Sequence, residues 1–178
     1  TKKLEDFTPL HPVFTKVATN YKPDAKCPNI NGWSVDKMFD QLACGDKDEV
    51  KLFWQIINDA LNGNRTRGKA FFLVGNVHGN NGKGTFQALI ENLVGDDNYG
   101  NLKIDEFEKR FSLSVLDGKT VCIGDDVQSG YINNSSNFNS IVTGDPVNIE
   151  LKKKPIYKTT LHCTIIQSCN TMPTFAKK

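Results

Sequence analysis

The chain has 178 residues, of which 38% are hydrophobic and 24% are charged, and its formal net charge is +2. This composition is typical of a globular protein with one main domain and excludes a disordered chain. No apolar run approaches the roughly 18 residues that span a bilayer, and the first residues, TKKLEDFTPL, lack a signal-peptide core. We therefore expect a cytoplasmic protein with no membrane association. Because the net charge is small, any binding of nucleic acid requires a local basic patch.

The cysteines indicate neither a disulfide framework nor a zinc site. Their number is odd, no two of them have C-x-x-C spacing, and those in VCIG and CTIIQSC lie in strand-like runs where a free thiol packs as a small hydrophobe. We expect reduced thiols and no structural metal at the five positions, which are Cys27, Cys44, Cys122, Cys163 and Cys169.

The first third of the chain combines an irregular arm with a helical region. Residues 1–33 contain four prolines and no sustained hydrophobic period, which indicates a linker or arm. Residues 34–66 are predicted to form a small helical region, in which one helix begins at Ser34 and Asp46, with Glu49 three residues later, caps a second. The predicted packing face of the second helix comprises Val50, Phe53, Trp54, Ile57 and Leu61, before Gly63 ends it.

Residues 67–178 alternate short apolar runs with helical patterns, as parallel α/β units do. The predicted strands are AFFLV (70–74), NLKI (101–104), TVCIG (120–124) and CTIIQSC (163–169). The predicted helices are a segment with Phe86, Leu89, Ile90 and Leu93 on one face and Gly95 at its end, IDEFEKRFSLSVL (104–116) and SSNFNSIVTG (135–144). The fold class is therefore α/β, with a mostly parallel, doubly wound sheet.

A glycine-rich loop, GNVHGNNGKGTF (75–86), separates the first of these strands from its helix. Glycines let backbone N–H groups turn inward, the helix N-terminus adds partial positive charge, and Lys83 adds a point charge for β- and γ-phosphates. The loop therefore predicts a site for ATP with Mg²⁺. The predicted ATP-binding residues are Gly79, Asn80, Asn81, Gly82, Lys83, Gly84 and Thr85.

This loop departs from the usual phosphate-binding pattern at two places. Val77 stands where glycine is usual, so either Val77 and His78 are a two-residue insertion or the loop begins irregularly. Gly84 stands where Ser or Thr would supply a hydroxyl to Mg²⁺, and only Thr85, one position later, offers one. For His78 we favour a solvated loop position over a contact with phosphate.

Polar side chains follow two more of the predicted strands. Asp125 and Asp126 come after VCIG, so Asp125, with Thr85, is expected to hold Mg²⁺ and the second carboxylate to orient or deprotonate water. Asn170 follows the last strand, with an amide suited to position that water or to sense the γ-phosphate. Each signal is weak alone, because any strand can end in a polar turn, but the order of loop, acidic end and polar end strengthens both. The predicted catalytic residues are Lys83, Asp125, Asp126 and Asn170.

With these segments the chain resembles the superfamily 3 helicases, AAA+-like P-loop ATPases of phage and plasmid primase-helicases and of large DNA viruses. GNNGKGTF resembles their motif A, IGDD motif B, TGDPVNIELKKKP motif B′ and TIIQSCNTMP motif C, and NYKPDAKCPNI resembles the segment before the motor. The resemblance implies a homo-hexameric motor in a bacterial host cell, with a fused or associated primase. It also implies an arginine finger beyond motif C, so that 67–178 is expected to be a P-loop ATPase core truncated before that finger.

Motif B′ implies a β-hairpin that projects into the channel of such a ring and grips single-stranded DNA. VNIEL and YKTTLHC are the expected strands of the hairpin. A lysine cluster suits sequence-independent contact with phosphates. Without this motif, a solvated edge-strand tip whose lysines discourage aggregation would be the favoured interpretation, and the motif reverses that preference. The expected DNA-binding residues are Lys152, Lys153, Lys154 and Lys158. One departure is Asn139, where family members often carry a lysine.

Three functions fit these patterns to different degrees. The leading hypothesis is an ATP-dependent DNA helicase motor core that replicates a phage or mobile genetic element. The alternative is an ATP- and DNA-binding assembly or loading factor without unwinding activity. A small-molecule P-loop kinase is disfavoured, because it needs a lid with arginines and the only arginine after residue 70 is Arg110.

Overall fold

A computed structural model of the chain describes residues 6, 8–10, 15–63, 68–76 and 79–176. Within them lie four α-helices, which are α1 (Val35–Leu42), α2 (Lys47–Ala60), α3 (Lys83–Val94) and α4 (Ser136–Thr143). The strands are β1 (Phe71–Val74), β2 (Tyr99–Asn101), β3 (Val121–Val127), β4 (Tyr131–Ile132), β5 (Val147–Ile149), β6 (Tyr157–Thr159), β7 (Thr164–Cys169) and β8 (Thr174–Phe175). Two short 3-10 helices span Ile104–Glu106 and Ser112–Leu116.

Four of the strands form one parallel sheet in the order β1-β7-β3-β2. The strand of this sheet that comes last in the chain, β7, thus lies between β1 and β3. Two small pairs complete the strands: β4 with β8 is parallel, and β5 with β6 is an antiparallel hairpin. The expectation of an α/β fold with a mostly parallel sheet is confirmed.

The sheet has a hydrophobic core on each face because side chains alternate along its strands. On β3, Val121 and Ile123 belong to a core shared with α1, α2 and α3, whereas Cys122 belongs to a second core on the opposite face. That second core contains Ile141 of α4 and Ile149 of the hairpin. Both faces of the sheet are therefore covered, as expected of a parallel sheet.

The helix ends follow local sequence signals. Ser34 caps α1 by accepting a hydrogen bond from the Lys37 N–H, and Asp46 caps α2 by accepting from the Asp48 and Glu49 N–H groups. Gly95, with φ of 88°, ends α3 as predicted.

The predicted packing face of α2 is confirmed at Val50, Phe53 and Ile57, which contribute to the first core. It is wrong at its edge, because Trp54 is 45% exposed and Leu61 is 41% exposed, whereas Ile56 and Ala60 are buried. The Phe39 ring of α1 packs on this side of the helix, with its centroid 5.4 Å from that of Phe53 and 5.8 Å from that of Phe86 in α3. The helical period of the hydrophobic residues is as predicted, but the packing of neighbouring helices decides which of these residues are buried.

Three other predictions of local structure are corrected. The strand NLKI lies earlier, at Tyr99–Asn101, because the Ile104 N–H bonds the side chain of Gln167 and not a strand. The segment 104–116 is not an α-helix but two 3-10 turns, since Phe111 between them has a φ of 66°. The strand after residue 70 is an edge strand and not a buried one, with Val74 54% exposed.

The described part of the predicted arm, residues 15–33, contains no helix and only one isolated bridge, between Ile30 and Trp33. Its Ala18 N–H donates to the Val94 carbonyl at 3.0 Å, and the Asn98 side chain donates to the Lys16 carbonyl at 2.7 Å. The arm is therefore tied to the end of α3. In the residues that the structure describes, no helix is long and apolar enough to cross a membrane.

Candidate functional site

The glycine-rich loop lies between the end of β1 and the start of α3. Gly79, Asn80 and Gly82 have φ values of 65°, 48° and 83°, in the left-handed region that turns successive N–H groups toward one side. The helix begins at Lys83, so its unpaired N–H groups point into the same space. The predicted insertion at Val77 and the position predicted for His78 lie outside the described residues.

The Lys83 ammonium lies between two neutral amide side chains. Its Nζ donates to Asn81 Oδ1 at 2.9 Å and to Asn170 Oδ1 at 3.0 Å. A Cβ on Gly75 would lie 2.2 Å from Lys83 Nζ and 2.0 Å from Asn81 Nδ2, so only glycine leaves room for this arrangement. Among the described residues Lys83 forms no ion pair. Its positive charge is therefore available to an anion.

The strand order brings the three predicted motifs to one edge of the sheet. The glycine-rich loop follows β1, and Asn170 follows β7, which is the neighbour of β1 in the sheet. The aspartates belong to β3, on the other side of β7. These groups border one cleft of about 300 Å³. Its lining comprises Asn80, Asn81, Gly82, Lys83, Gly84, Thr85, Asp125, Asp126, Ser168 and Asn170. Every predicted catalytic residue and every predicted loop residue except Gly79 is in this set.

The two aspartates lie within β3 and not after it, in a local irregularity of the sheet. Gly124 pairs with Gln167 and Val127 with Cys169, so β3 has one more residue than β7 in this interval. The extra residue makes a β-bulge, and Asp126 has a φ of 49°. Successive strand residues normally point to opposite faces, but the bulge lets both carboxylates border the same cleft.

Two further residues hold this bulge and were not predicted. Ser168 Oγ donates to Asp125 Oδ1 at 2.6 Å and accepts from the Asp126 N–H at 3.1 Å. Lys103 Nζ, just after β2, donates to the Asp126 carbonyl at 3.2 Å. A period of two along β7 places Ser168 on the same face as Asn170, and that signal could have identified it. No sequence signal separates Lys103 from other surface lysines.

The charge of Asp125 also acts on Glu91 of α3. Burial raises the pKa of the Glu91 carboxyl, and the negative charges of Asp125 and Asp96 raise it further. The Cys169 thiol, at the end of β7, also has a raised pKa because of burial, which the Lys83 charge partly offsets. The cleft thus has the Lys83 ammonium on its loop side and the Asp125 and Asp126 carboxylates on its β3 side.

The predicted lysine hairpin is present on a different part of the surface. β5 and β6 pair through Val147 with Thr159 and Ile149 with Tyr157, and their buried side packs on the second core. None of its residues borders the cleft described above. The four predicted lysines, which are Lys152, Lys153, Lys154 and Lys158, are all exposed.

The loop end of the hairpin strands is attached to the segment between β2 and β3. Arg110 Nε donates to both carboxylate oxygens of Glu150, at 2.8 and 2.9 Å, and this pairing lowers the pKa of Glu150. The Tyr157 hydroxyl donates to Asp117, which raises the pKa of Tyr157. Asn139, which stands where a lysine is common in the resembling family, bonds Ser135 Oγ at 3.1 Å.

Comparisons with known proteins agree with this fold. Residues 73–178 match a family of unknown function, DUF5906, and that range includes the whole cleft. An apo structure of the NrS-1 C-terminal region superposes with a TM-score of 0.67 at 20% identity, covering 94% of this chain and 38% of that one. An A-form apo structure of the same region gives a TM-score of 0.63 at 16% identity, covering 86% and 42%. The chain thus spans less than half of those structures, and the likeness concerns the fold. No curated protein matches the chain.

Proposed function

The chain belongs to the family of unknown function DUF5906, and we propose that it is the ATP-binding and ATP-hydrolysing core of a DNA helicase that replicates a phage or other mobile genetic element. One observation carries this proposal. A lysine held by two amide oxygens and a pair of carboxylates border a single cleft, at the edge where three parallel strands end. Ligands of open parallel sheets bind at this edge.

The loop side of the cleft fits a triphosphate. The loop residues with positive φ, the N-terminus of α3 and the ammonium of Lys83 supply N–H donors and positive charge from one direction. The absence of a Cβ at Gly75 leaves room for the lysine. We assign the β- and γ-phosphates to Lys83 and to the amides of residues 79–85.

The opposite side of the cleft fits Mg²⁺. Mg²⁺ is usually held by one or two carboxylates together with phosphate oxygens and waters, not by a complete cage of protein ligands. In the described part of the chain no three His, Cys, Asp or Glu side chains form a metal-binding group, and Asp125 and Thr85 border the cleft. We assign Mg²⁺ to these two residues, where it would neutralise charge on the β- and γ-phosphates.

The remaining polar groups have roles in hydrolysis. Asp126 is assigned to orient the attacking water and accept its proton, and Asn170 to position that water or contact the γ-phosphate. The hydrogen bond from Lys83 to Asn170 supports this, because it joins the phosphate-binding charge to the polar end of β7.

The hairpin supplies the proposed contact with single-stranded DNA. Four exposed lysines lie close together on it, at positions 152, 153, 154 and 158, and form a local basic patch. Such a patch is what DNA binding requires in a chain whose net charge is only +2. Lysine–phosphate contacts are independent of sequence, as a translocating motor requires. In the working protein we propose a homo-hexamer with ATP between subunits and a fused or associated primase.

A second function, an assembly or loading factor that binds ATP and DNA without unwinding, is favoured by two features of the cleft. Gly84 lacks the hydroxyl usual at this position, and in the described part of the chain no arginine borders the cleft. Arginine fingers contribute about 10³-fold or more to hydrolysis, so a site without one binds better than it hydrolyses. Strand displacement by the full-length protein separates the two functions.

The experiment that tests the proposal is calorimetry of ATP with Mg²⁺ on the chain, on Lys83→Ala and on Lys51→Ala. Lys51 is an exposed lysine of α2 and controls for the general loss of a positive charge. We expect binding to the chain and to Lys51→Ala, and none to Lys83→Ala. Binding that survives Lys83→Ala, or no binding to the unaltered chain, contradicts the proposal.

The same proteins, with a variant in which Lys152, Lys153 and Lys154 are all changed to alanine, test the DNA contact. Each lysine–phosphate contact on a single strand contributes roughly 0.7 to the slope of log affinity against log salt concentration. The triple variant should therefore lose about 2 units of slope while its ATP affinity stays unchanged. An unaltered slope would remove the hairpin from the DNA-binding surface.

A further inference from the structure

The conformation of Asp126 is unusual and is held from two neighbouring strands. A φ of 49° is uncommon for a residue with a side chain and costs free energy unless the surroundings fix it. Here the N–H of Asp126 donates to Ser168 Oγ of β7, and its carbonyl accepts from Lys103 Nζ after β2. Both backbone hydrogen-bonding groups of Asp126 are thus used outside the normal pairing of the sheet.

Ser168 connects the two carboxylates. Its single hydroxyl proton goes to Asp125 Oδ1 at 2.6 Å, and its oxygen accepts from the Asp126 N–H at 3.1 Å. The residue is only 1% exposed, so water does not replace either bond. A hydroxyl in this position fixes one oxygen of Asp125 and leaves Oδ2 free for another partner.

An alanine at this position would remove both bonds and leave the two bulge residues without their side-chain link to β7, although the strands stay paired on either side. Nothing else among the described residues joins Asp125 to the backbone of Asp126 in this way. Carboxylates that bind metals are themselves hydrogen-bonded by neighbouring groups, and losing such a group lowers metal affinity or activity about 10- to 100-fold.

We propose that Ser168 is a positioning residue of the ATP site, which aims Asp125 at Mg²⁺ and holds Asp126 beside it by fixing the bulge in β3. The inference rests on the proposed function, because it assumes that the cleft binds Mg²⁺ with ATP. Ser168 itself touches neither ligand in this assignment.

The test is calorimetry of ATP with Mg²⁺ and with EDTA, on the chain and on Ser168→Ala and Ser168→Thr. For the unaltered chain we expect tighter binding with Mg²⁺ than with EDTA. Ser168→Ala should lose about 10- to 100-fold of the affinity measured with Mg²⁺, and its affinity in EDTA should not change. Ser168→Thr keeps the hydroxyl and should bind within about threefold of the unaltered chain, a rescue that general destabilisation would not give. If the alanine variant does not fold, Ser168→Cys, which has a similar volume but a weak donor, takes its place.

Three results would overturn the inference, and they are distinguishable. If Ser168→Ala keeps the full gain from Mg²⁺, Ser168 has no positioning role and the proposed function stands. If Ser168→Ala weakens binding equally with Mg²⁺ and with EDTA, its role is structural. If the unaltered chain binds no ATP in either condition, the proposed function is wrong and this inference is wrong with it.

Discussion

The replacement Gly124→Ala tests how tightly the sheet is packed beside the bulge. A Cβ on Gly124 would lie 2.1 Å from Oε1, 2.5 Å from Cδ and 2.6 Å from Nε2 of Gln167, distances that no real contact reaches. Gln167 is fully buried in the sheet, so its amide has no solvent into which it can move.

The amide of Gln167 makes two hydrogen bonds that this replacement breaks. Its Oε1 accepts from the Ile104 N–H at 2.9 Å, and its Nε2 donates to the Leu102 carbonyl at 3.2 Å. A buried polar group that loses its partner costs about 1–3 kcal/mol. Replacing glycine by alanine in a strand returns about 0.5–1 kcal/mol. With two such bonds lost, we therefore expect Gly124→Ala to lower the free energy of unfolding by about 1–5 kcal/mol, a large part of the roughly 5–15 kcal/mol typical of a domain.

Urea unfolding followed by circular dichroism measures this change. Gly130→Ala is the matched control, because a Cβ there meets no atom within 4 Å and the expected change is below about 1 kcal/mol. Combining Gly124→Ala with Gln167→Ala should cost no more than Gln167→Ala alone, since the colliding side chain is gone. A loss below about 1 kcal/mol for Gly124→Ala would refute the reasoning.

Two further predictions concern titratable groups. We expect the exposed thiols of Cys27 and Cys44 to react quickly with dithionitrobenzoate at pH 8, and the three buried thiols to react only after unfolding. Burial keeps these thiols protonated and raises the pKa of Cys163 to about 12. A third thiol that reacts quickly in the native protein would contradict this. The pKa of Glu150 lies below its ordinary value because Arg110 donates hydrogen bonds to the carboxylate. The pair therefore stabilises the folded hairpin at a pH above the ordinary pKa of a glutamate. This stabilisation is lost as the pH falls through the lowered pKa of Glu150 in the folded protein. In Arg110→Met, carboxyl NMR should show the Glu150 pKa moving up toward its ordinary value, and an unchanged titration would exclude the pair in solution.

Local signals in the sequence predicted a large part of the fold because the physics behind them is local. Asp46 has an N-capping side chain, and Gly95 accepts the positive φ of 88° with which α3 ends, whatever the rest of the chain does. The segment CTIIQSC (163–169) contains the central strand β7, which is buried as predicted. The order of the polar segments after residue 75 likewise indicated which side chains meet at one edge of the sheet.

Other features escaped prediction because they depend on what packs where. The segment 104–116 has a helical pattern, but Phe111 in the left-handed region divides it and its apolar side chains are drawn into the second core. The covered face of α2 depends on Phe39, which comes from a different helix. A hydrophobic period identifies the element, and its neighbours in space decide how it is oriented.

The sequence by itself determined the composition of the cleft: a glycine-rich loop with Lys83, two adjacent aspartates and an asparagine, each at the end of a predicted strand. Only the tertiary structure decided how the aspartates are arranged. Their bulge requires Gly124 to pair with Gln167 and Val127 with Cys169, and it requires Ser168 to reach both carboxyl-bearing residues. Those partners lie more than 40 residues apart in the chain, and pairing register between distant strands is fixed by packing of the whole sheet, not by any local pattern.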